Sequence, residues 1–573
     1  MKAKSKRKMN AINNRYIQLI IIIAIILLVN IISSFIYTRI DLTDDKRYTL
    51  SESTRILVSK PDDNMVIRVL LEGQFPAGFI RLRTAVSDLM TEFRQINPDI
   101  VFEFEDPSQG TAKEITQRRD QLAEDKIYPI MLSYSDGTQV VQKAVYPFAI
   151  IYYKRRKFVV NLLEEQKPGE DEDIILNKSV ALLEYKFANA FQKLLAEKPK
   201  NIFYLSGHGE WDDAESFRLE SEIRKFHLFN RINPDTLLRL DESVDLLIVA
   251  GPKNKIDIKN QFKIDQYLMS GGRIIWLLDK MDVSMDSISK YKFYIPPDID
   301  NGLDDMLFRY GVRIRPDLIL DLECSSIPQV VGMAGDKPQT RLFPWMYHPV
   351  VASDNDHPIV RNIDRVNLFF PSTIDTIRTE SDVKKTVLLR SSKYSRTQLS
   401  PVRLSFELLK VQPDPSKFNQ GNIPVAVLLE GTFDSYFKNR LTPEFKAVLD
   451  QLNVEFYESS KPARQIVVSD AEFVKNLVKY NTGQTEDIGF NAWERRHYNG
   501  NKDFILNAVE YMLDEDNILS SRSKDVKLRL LDAVRTKTER TFWQAFNIGI
   551  PIIFLIIFGL MYSFVRKRKY TAA

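Results

Sequence analysis

Residues 201–213, NIFYLSGHGEWDD, decide the fold of this chain. The stretch contains a short apolar run without a helical period, and it then breaks at Gly207 and Gly209 into an acidic and aromatic turn. Such a run predicts a buried β-strand that delivers a loop to the edge of a sheet. Residues 244–249 and 273–278 are two more runs of this kind, at intervals that a crossover helix can fill. The three runs together predict a parallel sheet covered by helices.

The composition indicates a globular protein with more than one domain. A chain of 573 residues is too long for a single hydrophobic core, so we expect two or three domains. The 80 lysine and arginine residues nearly balance the 76 aspartate and glutamate residues, which argues against nucleic acid as the main partner. Cys324 is the single cysteine, so an internal disulfide framework and a cysteine-based zinc site are excluded.

Two long uncharged segments near the ends of the chain predict membrane-spanning helices. Residues 16–37 and 546–565 are each close to the length of about 20 residues that a helix needs to cross hydrocarbon. The tails at residues 1–15 and 566–573 are basic, which places both ends of the chain in the cytoplasm. The large region between the two spans is therefore expected on the other side of the membrane.

The region after the first span has the element order of the thioredoxin fold: strand, helix, strand, helix and hairpin. The predicted hairpin joins residues 127–134 and 138–145, and Pro129 stands where thioredoxin-like proteins often have a cis proline. No cysteine pair follows the first strand, so thiol exchange has no nucleophile. We predict a thioredoxin-like domain over residues 38–163 and a linker with a long helix over residues 164–200.

The second predicted domain is doubly wound and covers residues 201–520. Residues 329–415 contain several prolines and turn signals, and we expect an irregular insertion there. A helix at residues 523–545 is expected to lead into the second span. The other elements predicted around the three central strands are 214–226, 258–269, 423–430, 465–469 and 504–513.

Polar side chains follow the predicted strands at their carboxyl ends, where doubly wound sheets bind ligands. The candidate ligand-binding residues on these loops are Ser206, His208, Glu210, Trp211, Asp212, Pro252 and Asp279. The sequence has no HExxH helix, no GxSxG elbow and no complete phosphate-binding glycine loop. We therefore predict no metal, no cofactor and no catalytic residue.

Three roles remain open for the loop that carries His208 and Glu210. The favoured role is structural, with one of the two side chains binding backbone groups of the turn. The second role is ligand binding. The third is acid–base catalysis, for which imidazole and carboxylate groups are suitable materials. Cys324 is expected to be a buried, inert thiol.

Several motifs together resemble the GldG family, the gliding-motility-associated auxiliary components of ABC transporters in Bacteroidota. Besides the two predicted membrane helices, they are DLTDDKRYTLS at 41–51, YLSGHGEW at 204–211, VDLLIVAGPK at 244–253 and MSGGRIIWLLDKM at 269–281. The resemblance implies an auxiliary or substrate-binding subunit in the bacterial inner membrane, with a large periplasmic region. It implies a separate permease and a cytoplasmic ATPase as partners, and a link to gliding and its secretion machinery.

The central domain is also similar to glutamine-amidotransferase-like and intraflagellar-transport-type domains. Those amidotransferases place a nucleophilic cysteine after a strand, whereas the strands here end in Ser206, Ala250 and Asp279. We therefore expect a non-enzymatic periplasmic subunit that binds a partner protein or an envelope ligand. The alternative is a cell-envelope hydrolase that uses His208, Glu210 and Asp212.

Overall fold

The computed structural model describes residues 49–514 and 539–571, together with residues 21, 23–25 and 28. Within the long segment the undescribed positions are 126, 136–139, 165–171, 197, 241–242, 335–336, 354, 356, 362, 453 and 480. The chain divides into two units, Met1–Lys524 and Asp525–Ala573, and each is described by itself.

The first part of the larger unit is built on a four-stranded mixed sheet. Its elements are α1 (Glu52–Ser59), β1 (Met65–Val69), α2 (Ala77–Ile96), β2 (Ile100–Phe104), α3 (Ala112–Glu124), β3 (Ile130–Ser135), β4 (Val140–Val145), β5 (Phe148–Tyr153), β6 (Arg156–Asn161) and α4 (Glu172–Leu195). The strand order is β2, β1, β5, β6, with β1 parallel to β2 and antiparallel to β5. Helices α1, α2 and α4 cover one face of this sheet, and α3 contributes Leu122 to a smaller apolar cluster with Leu70 and Ile150.

The predicted hairpin forms, but it is not part of the main sheet. Strands β3 and β4 pair with each other as a separate two-stranded sheet, and β5 and β6 complete the four-stranded one. The burial of these strands explains the difference, because Ala149, Ile150 and Ile151 of β5 are all buried, whereas Met131 of β3 is 63% exposed. The cis peptide bond among the described residues precedes Pro401, so Pro129 lacks the cis bond that its position suggested.

The rest of the larger unit contains a seven-stranded sheet and a smaller β-rich insertion. Its strands are β7 (Asn201–Leu205), β8 (Leu228–Ile232), β9 (Leu246–Ala250), β10 (Arg273–Leu277), β11 (Val312–Ile314), β12 (Asp317–Asp321), β13 (Cys324–Ala334), β14 (Lys337–Val351), β15 (Val366–Asn367), β16 (Ile374–Thr376), β17 (Val383–Arg390), β18 (Ser395–Leu399), β19 (Pro424–Gly431), β20 (Ala463–Val468), β21 (Val478–Lys479), β22 (Gln484–Thr485), β23 (Phe490–Asn491) and β24 (Arg496–His497). Its helices are α5 (Phe217–Ile223), α6 (Ile258–Met269), α7 (Met285–Lys290), α8 (Asp304–Tyr310), α9 (Pro443–Gln451) and α10 (Asn499–Leu513).

The seven-stranded sheet has the predicted parallel core. Its order is β17, β19, β20, β10, β9, β7, β8; the five strands from β20 to β8 are parallel, and β19 and β17 are antiparallel additions. Helices α5 and α10 pack on one face, and α6 and α8 pack on the other. In the sheet, β8 lies on one side of β7, and β9, the next strand along the chain, lies on the other side of β7. This reversal places a topological switch point between β7 and β9.

The sequence prediction was incomplete at two places in this region. Strand β8 was missed because it is a sheet edge, where Leu228 and Asn230 are exposed and the run is not uniformly apolar. Residues 329–415 are not simply irregular, since they hold the β13–β14 hairpin and strands β17 and β18. The prolines in that hairpin look like turn signals in the sequence, but most of the hairpin lies at the edges of a small sheet, where proline is tolerated.

The smaller unit contains α11 (Arg540–Thr571), the candidate membrane span among the described residues. Within Arg540–Arg568, an apolar window of 18 residues has a mean hydropathy of 2.5, and none of that window is buried in the protein. The second predicted span lies within this helix. The first predicted span, residues 16–37, and the helix predicted at 523–545 fall mostly outside the described residues and stay predictions.

Candidate functional site

The loop after β7 is joined to the loop after β9 through the backbone of His208. The carbonyl oxygen of His208 accepts hydrogen bonds from the backbone N–H groups of Lys253 (2.9 Å) and Asn254 (2.8 Å). Gly209, which follows His208 in the loop after β7, has a φ of +84°. A β-carbon at Gly209 would lie 3.2 Å from the Lys253 side chain. The two loops therefore meet at the switch point of the sheet.

His208 and Glu210 form a buried pair within this loop. The Glu210 carboxylate accepts a hydrogen bond of 2.7 Å from the backbone N–H of His208, and its Oε1 atom lies 3.4 Å from His208 Nδ1. The two side chains are only 8% and 1% exposed, and these two facing atoms lack a hydrogen-bond partner among the described residues. A carboxylate that binds a backbone N–H of its own turn fixes the shape of that turn.

Trp211 covers the start of the loop after β9. Its indole N–H donates to the carbonyl oxygen of Ala471 (3.4 Å), which follows β20, and its ring lies against Gly251. The ammonium group of Lys475 is 4.1 Å from the centre of the ring, within the range of a cation–π contact. Trp211 thus connects the carboxyl ends of three strands, β7, β9 and β20.

Asp212 and Ser206 have structural partners. The Asp212 carboxylate accepts a hydrogen bond of 2.8 Å from the backbone N–H of Glu215, and the Glu215 carboxylate accepts one of 3.2 Å from the backbone N–H of Asp212. This reciprocal pair stabilises the turn that leads into α5. The backbone N–H of Ser206 donates to Ile232 at the end of β8.

A group of charged side chains lies beside these loops, at the carboxyl ends of β9, β10 and β20. We call it the switch-point cluster and define it as Lys253, Asp279, Asp282, Asp470, Glu472 and Lys475. Asp279 follows β10 and accepts a hydrogen bond of 2.7 Å from the backbone N–H of Ala471. Lys253 pairs with Asp282 at 2.8 Å. Pro252 lies between Gly251 and Lys253 in the loop after β9, and it is buried.

Three carboxyl groups of the switch-point cluster, those of Asp279, Asp470 and Glu472, have raised pKa values. Burial raises the pKa of Asp279 to about 6. Burial, and then the charge of Asp279, raises the pKa of Glu472 to about 7. The same two causes raise the pKa of Asp470, whose carboxylate accepts backbone N–H groups from Phe369 (2.6 Å) and Glu472 (2.7 Å). Asp279 and Glu472 can therefore change charge near neutral pH when a ligand or a partner approaches.

The described residues offer no group of three or more His, Cys, Asp or Glu side chains arranged to hold a metal ion. Burial raises the pKa of Cys324 to about 12, which disfavours the reactive thiolate. The charged side chains at the site form ion pairs and hydrogen bonds, and the buried ring of Trp211 packs beside them.

Of the sequence candidates, the structure brings His208, Glu210, Trp211, Pro252 and Asp279 to one edge of the sheet. Sequence reasoning missed Asp470, Glu472 and Lys475. Their signal was present, because Asp470 follows the predicted strand at 465–469 just as Asp279 follows the strand at 273–278.

Most of the chain is similar to known protein families. The family described as an ABC-type uncharacterized transport system matches residues 199–508, and a domain of unknown function (DUF7088) matches residues 44–152. An uncharacterized protein of Borreliella burgdorferi is 22% identical over 572 residues, which cover 97% of this chain and 99% of the relative.

Two solved structures show a weak likeness. The mmIFT52 N-terminal domain aligns with 55% of this chain and 98% of its own, at 12% identity and a TM-score of 0.31. Exo-beta-1,4-mannosidase Op5Man5 from Opitutaceae bacterium strain TAV5 aligns with 58% of this chain and 39% of its own, at 12% identity and a TM-score of 0.23. Scores this low support no conclusion about fold or function.

The transport-family match covers more than half of the 573 residues, and it includes all the loops that form the switch-point cluster. The chain belongs to the family of ABC-type uncharacterized transport systems, as an auxiliary component of such a system.

Proposed function

We propose that this chain is a non-catalytic, membrane-anchored subunit of an ABC transporter complex, and that it binds a partner protein or an envelope ligand at the switch-point loops. The match of the transport family to residues 199–508 carries the proposal. That family implies association with a permease and an ATPase. The auxiliary subunit would respond to their ATP-driven changes because each transporter state makes different contacts with it.

Anchoring is supported by the apolar helix α11, which is long enough to cross a bilayer. Arg566, Lys567, Arg568 and Lys569 at its end favour a cytoplasmic C-terminus. Together with the span predicted at residues 16–37, this gives a two-pass protein of the bacterial inner membrane. Both ends would be cytoplasmic, and the two large sheets would be periplasmic.

Binding at the switch point is supported by the convergence of loops from β7, β9, β10 and β20. The proposed contact residues are Ser206, His208, Glu210, Trp211, Pro252 and Asp279, together with the charged groups of the cluster. The buried ring of Trp211 lies between two lysines, and its centre is 4.1 Å from Lys475 and 5.9 Å from Lys253. Carboxyl groups with raised pKa values that converge at the ends of strands, as Asp279 and Glu472 do here, mark candidate functional sites.

The alternative of an envelope hydrolase has weaker support. It needs His208, Glu210 and Asp212 to act together, whereas the Asp212 carboxylate is engaged in the turn before α5. A glutamine amidotransferase would need a cysteine after a strand of the parallel sheet, and none follows β7, β9 or β10.

The resemblance to the gliding-motility family extends the proposal to a biological role. The complex would support surface gliding and the secretion machinery linked to it. Loss of gliding on agar after deletion of the gene, with recovery by the intact copy, is the expected result in an organism that glides.

The central experiment is a mild-detergent pull-down of the tagged full-length protein from its native membrane, followed by mass spectrometry and an ATPase assay. We expect a permease and an ATPase in a fixed ratio to the bait. A double H208A/E210A variant and a control outside the loop, Glu220→Ala on α5, show whether the loop contributes to assembly. Recovery of the bait alone, with hydrolytic activity on envelope material that the double variant lacks, would overturn the proposal.

A further inference from the structure

A cavity of about 450 Å³ lies between the first sheet and the seven-stranded sheet, within the larger unit. Its walls come from β6 and the end of α4 on one side, and from the α5–β8 connection and α10 on the other. The cavity lies near the beginning of β7, at the opposite end of that strand from the switch-point cluster. Its volume is within the range of small-molecule binding sites.

The lining of this cavity is strongly basic. Among the described residues, six cationic side chains and one carboxylate, that of Glu510, face it. The six are Arg156, Lys157, Lys193, Lys198, Lys200 and Lys225. Lys157 pairs with Asp125, Lys200 with Asp245 and Lys225 with Glu222, so half of this charge is balanced from outside the lining. Lys198 has no ion pair within the described part of the chain.

The cationic groups beside the cavity lower the pKa of the Glu510 carboxyl group. Burial alone would raise the pKa of this carboxyl group, but Lys193 at 2.9 Å and His227 beside it lower the pKa to about 2. His227 has two buried ring nitrogens without a hydrogen-bond partner among the described residues. A polar group left in this condition is costly unless something else binds it.

The cavity also has an aromatic wall. The rings of Phe158 and Phe226 stack with their centres 5.3 Å apart, and they come from the two different sides of the cavity. The ammonium group of Lys193 lies 3.7 Å from the centre of the Phe226 ring. Cations next to an aromatic wall suit a ligand that has both an anionic group and a flat apolar body.

We propose that this cavity is a binding site for a small aromatic or apolar anion, carrying a carboxylate or a phosphate, and that the ligand bridges the two sheets. The anionic group would meet the lysines, and the flat body would lie against Phe158 and Phe226. Because the walls belong to both parts of the larger unit, an occupant stabilises their contact. This site is separate from the switch-point cluster, and the proposal does not rest on the transporter function.

The test uses the full-length protein in phosphatidylcholine nanodiscs and the photoreactive probe 4-benzoylbenzoate, an aromatic carboxylate. After irradiation, peptide mass spectrometry maps the labelled residues. We expect saturable labelling of peptides that contain Phe158, Lys193 or Phe226. Benzoate and phenyl phosphate should compete, and their relative strength distinguishes carboxylate from phosphate ligands. Uncharged benzyl alcohol should compete at least tenfold more weakly, and added salt should weaken the labelling.

Charge reversal provides the matched comparison. Both K198E and K225E change exposed residues, so folding should be retained, and we expect at least a tenfold loss of labelling in the double variant. K446E on the exposed face of α9 is the control and should label as the parent does. If the double variant unfolds earlier than the parent, K198Q and K225Q replace it, with a smaller expected loss. Labelling outside the cavity alone, or labelling inside it that ignores both salt and charge reversal, would overturn the proposal.

Discussion

The indole ring of Trp211 lies directly on the backbone of Gly251, so closely that a β-carbon at Gly251 would be 2.9 Å from the ring. Gly251 has a φ of +66°, which also favours glycine. The two residues belong to the loops after β7 and β9, the pair of strands that flank the switch point. This contact fixes the geometry of the candidate site from both loops at once.

Replacing Gly251 with alanine should destabilise the protein more than the same change at Gly483. The two glycines have nearly equal φ values, +66° and +65°, but a β-carbon at Gly483 meets nothing within 4 Å. The backbone cost is therefore matched, and the difference isolates the clash with Trp211, which we expect to cost about 1 to 3 kcal/mol. Urea unfolding of the full-length protein measures the free energy of unfolding of both alanine variants. If the two variants lost the same free energy of unfolding, the Trp211 ring would be able to move away from a β-carbon at Gly251 without cost.

Removing the Glu210 carboxylate should loosen the loop after β7. In E210A the buried backbone N–H of His208 loses its acceptor, and we expect the free energy of unfolding to fall by about 1 to 3 kcal/mol. Glu220, which forms an ion pair with Arg224 one helical turn away, is the control, and E220A should cost no more than about 0.5 kcal/mol. E210Q keeps an acceptor oxygen and should fall between the two. A stable E210A variant would refute the structural role.

The sequence was most informative where a strand is buried on both faces. β7, β9 and β10 are continuous apolar runs, so their positions and their parallel pairing could be predicted. Edge strands carry weaker signals, and β8 and the β13–β14 hairpin were missed for that reason. The first sheet contains β5 and β6 rather than the predicted hairpin of β3 and β4. Which hairpin joins the sheet depends on which one buries more apolar surface, and this is decided only in the packed protein.

The candidate site was predictable only in part. Rules about strand ends found His208, Trp211 and Asp279, since each follows a clear strand. Asp470 was missed because about 190 residues separate it from Asp279, and most of the insertion lies between them. The contact between Trp211 and Gly251 depends on loop conformation, and no local pattern encodes it.

Asp279 and Glu472 of the switch-point cluster should make the protein less stable as pH rises from about 4 to about 7. The pKa values of Asp279 and Glu472 are raised to about 6 and about 7, so the folded protein binds more protons than the unfolded chain. Their ionisation therefore opposes folding, and stability falls as pH rises from about 4 towards 7. We expect a D279N/E472Q variant to show a smaller fall over this window, as measured by urea unfolding at several pH values.

The control for this pH experiment is Glu407→Gln, which changes an exposed carboxyl group that does not belong to the switch-point cluster. Its difference from the parent should stay constant between pH 4 and pH 7.5. A D279N/E472Q variant with the same pH profile as the parent would show that the cluster does not titrate in this range.

The ion pair between Lys193 and Glu510 should give the opposite pH dependence at the junction of the two sheets. Because the pKa of Glu510 is lowered to about 2, the ionised carboxylate stabilises the folded state above the unfolded pKa of about 4.3. E510Q should therefore be less stable than the parent at pH 7, by up to about 3 kcal/mol, and the difference should narrow as pH falls from 5 to 3. The exposed pair of Lys479 and Glu486 supplies the control, and E486Q should have little effect at pH 7. A difference between parent and E510Q that stays constant down to pH 3 would mean that charge is not what holds the two sheets together here.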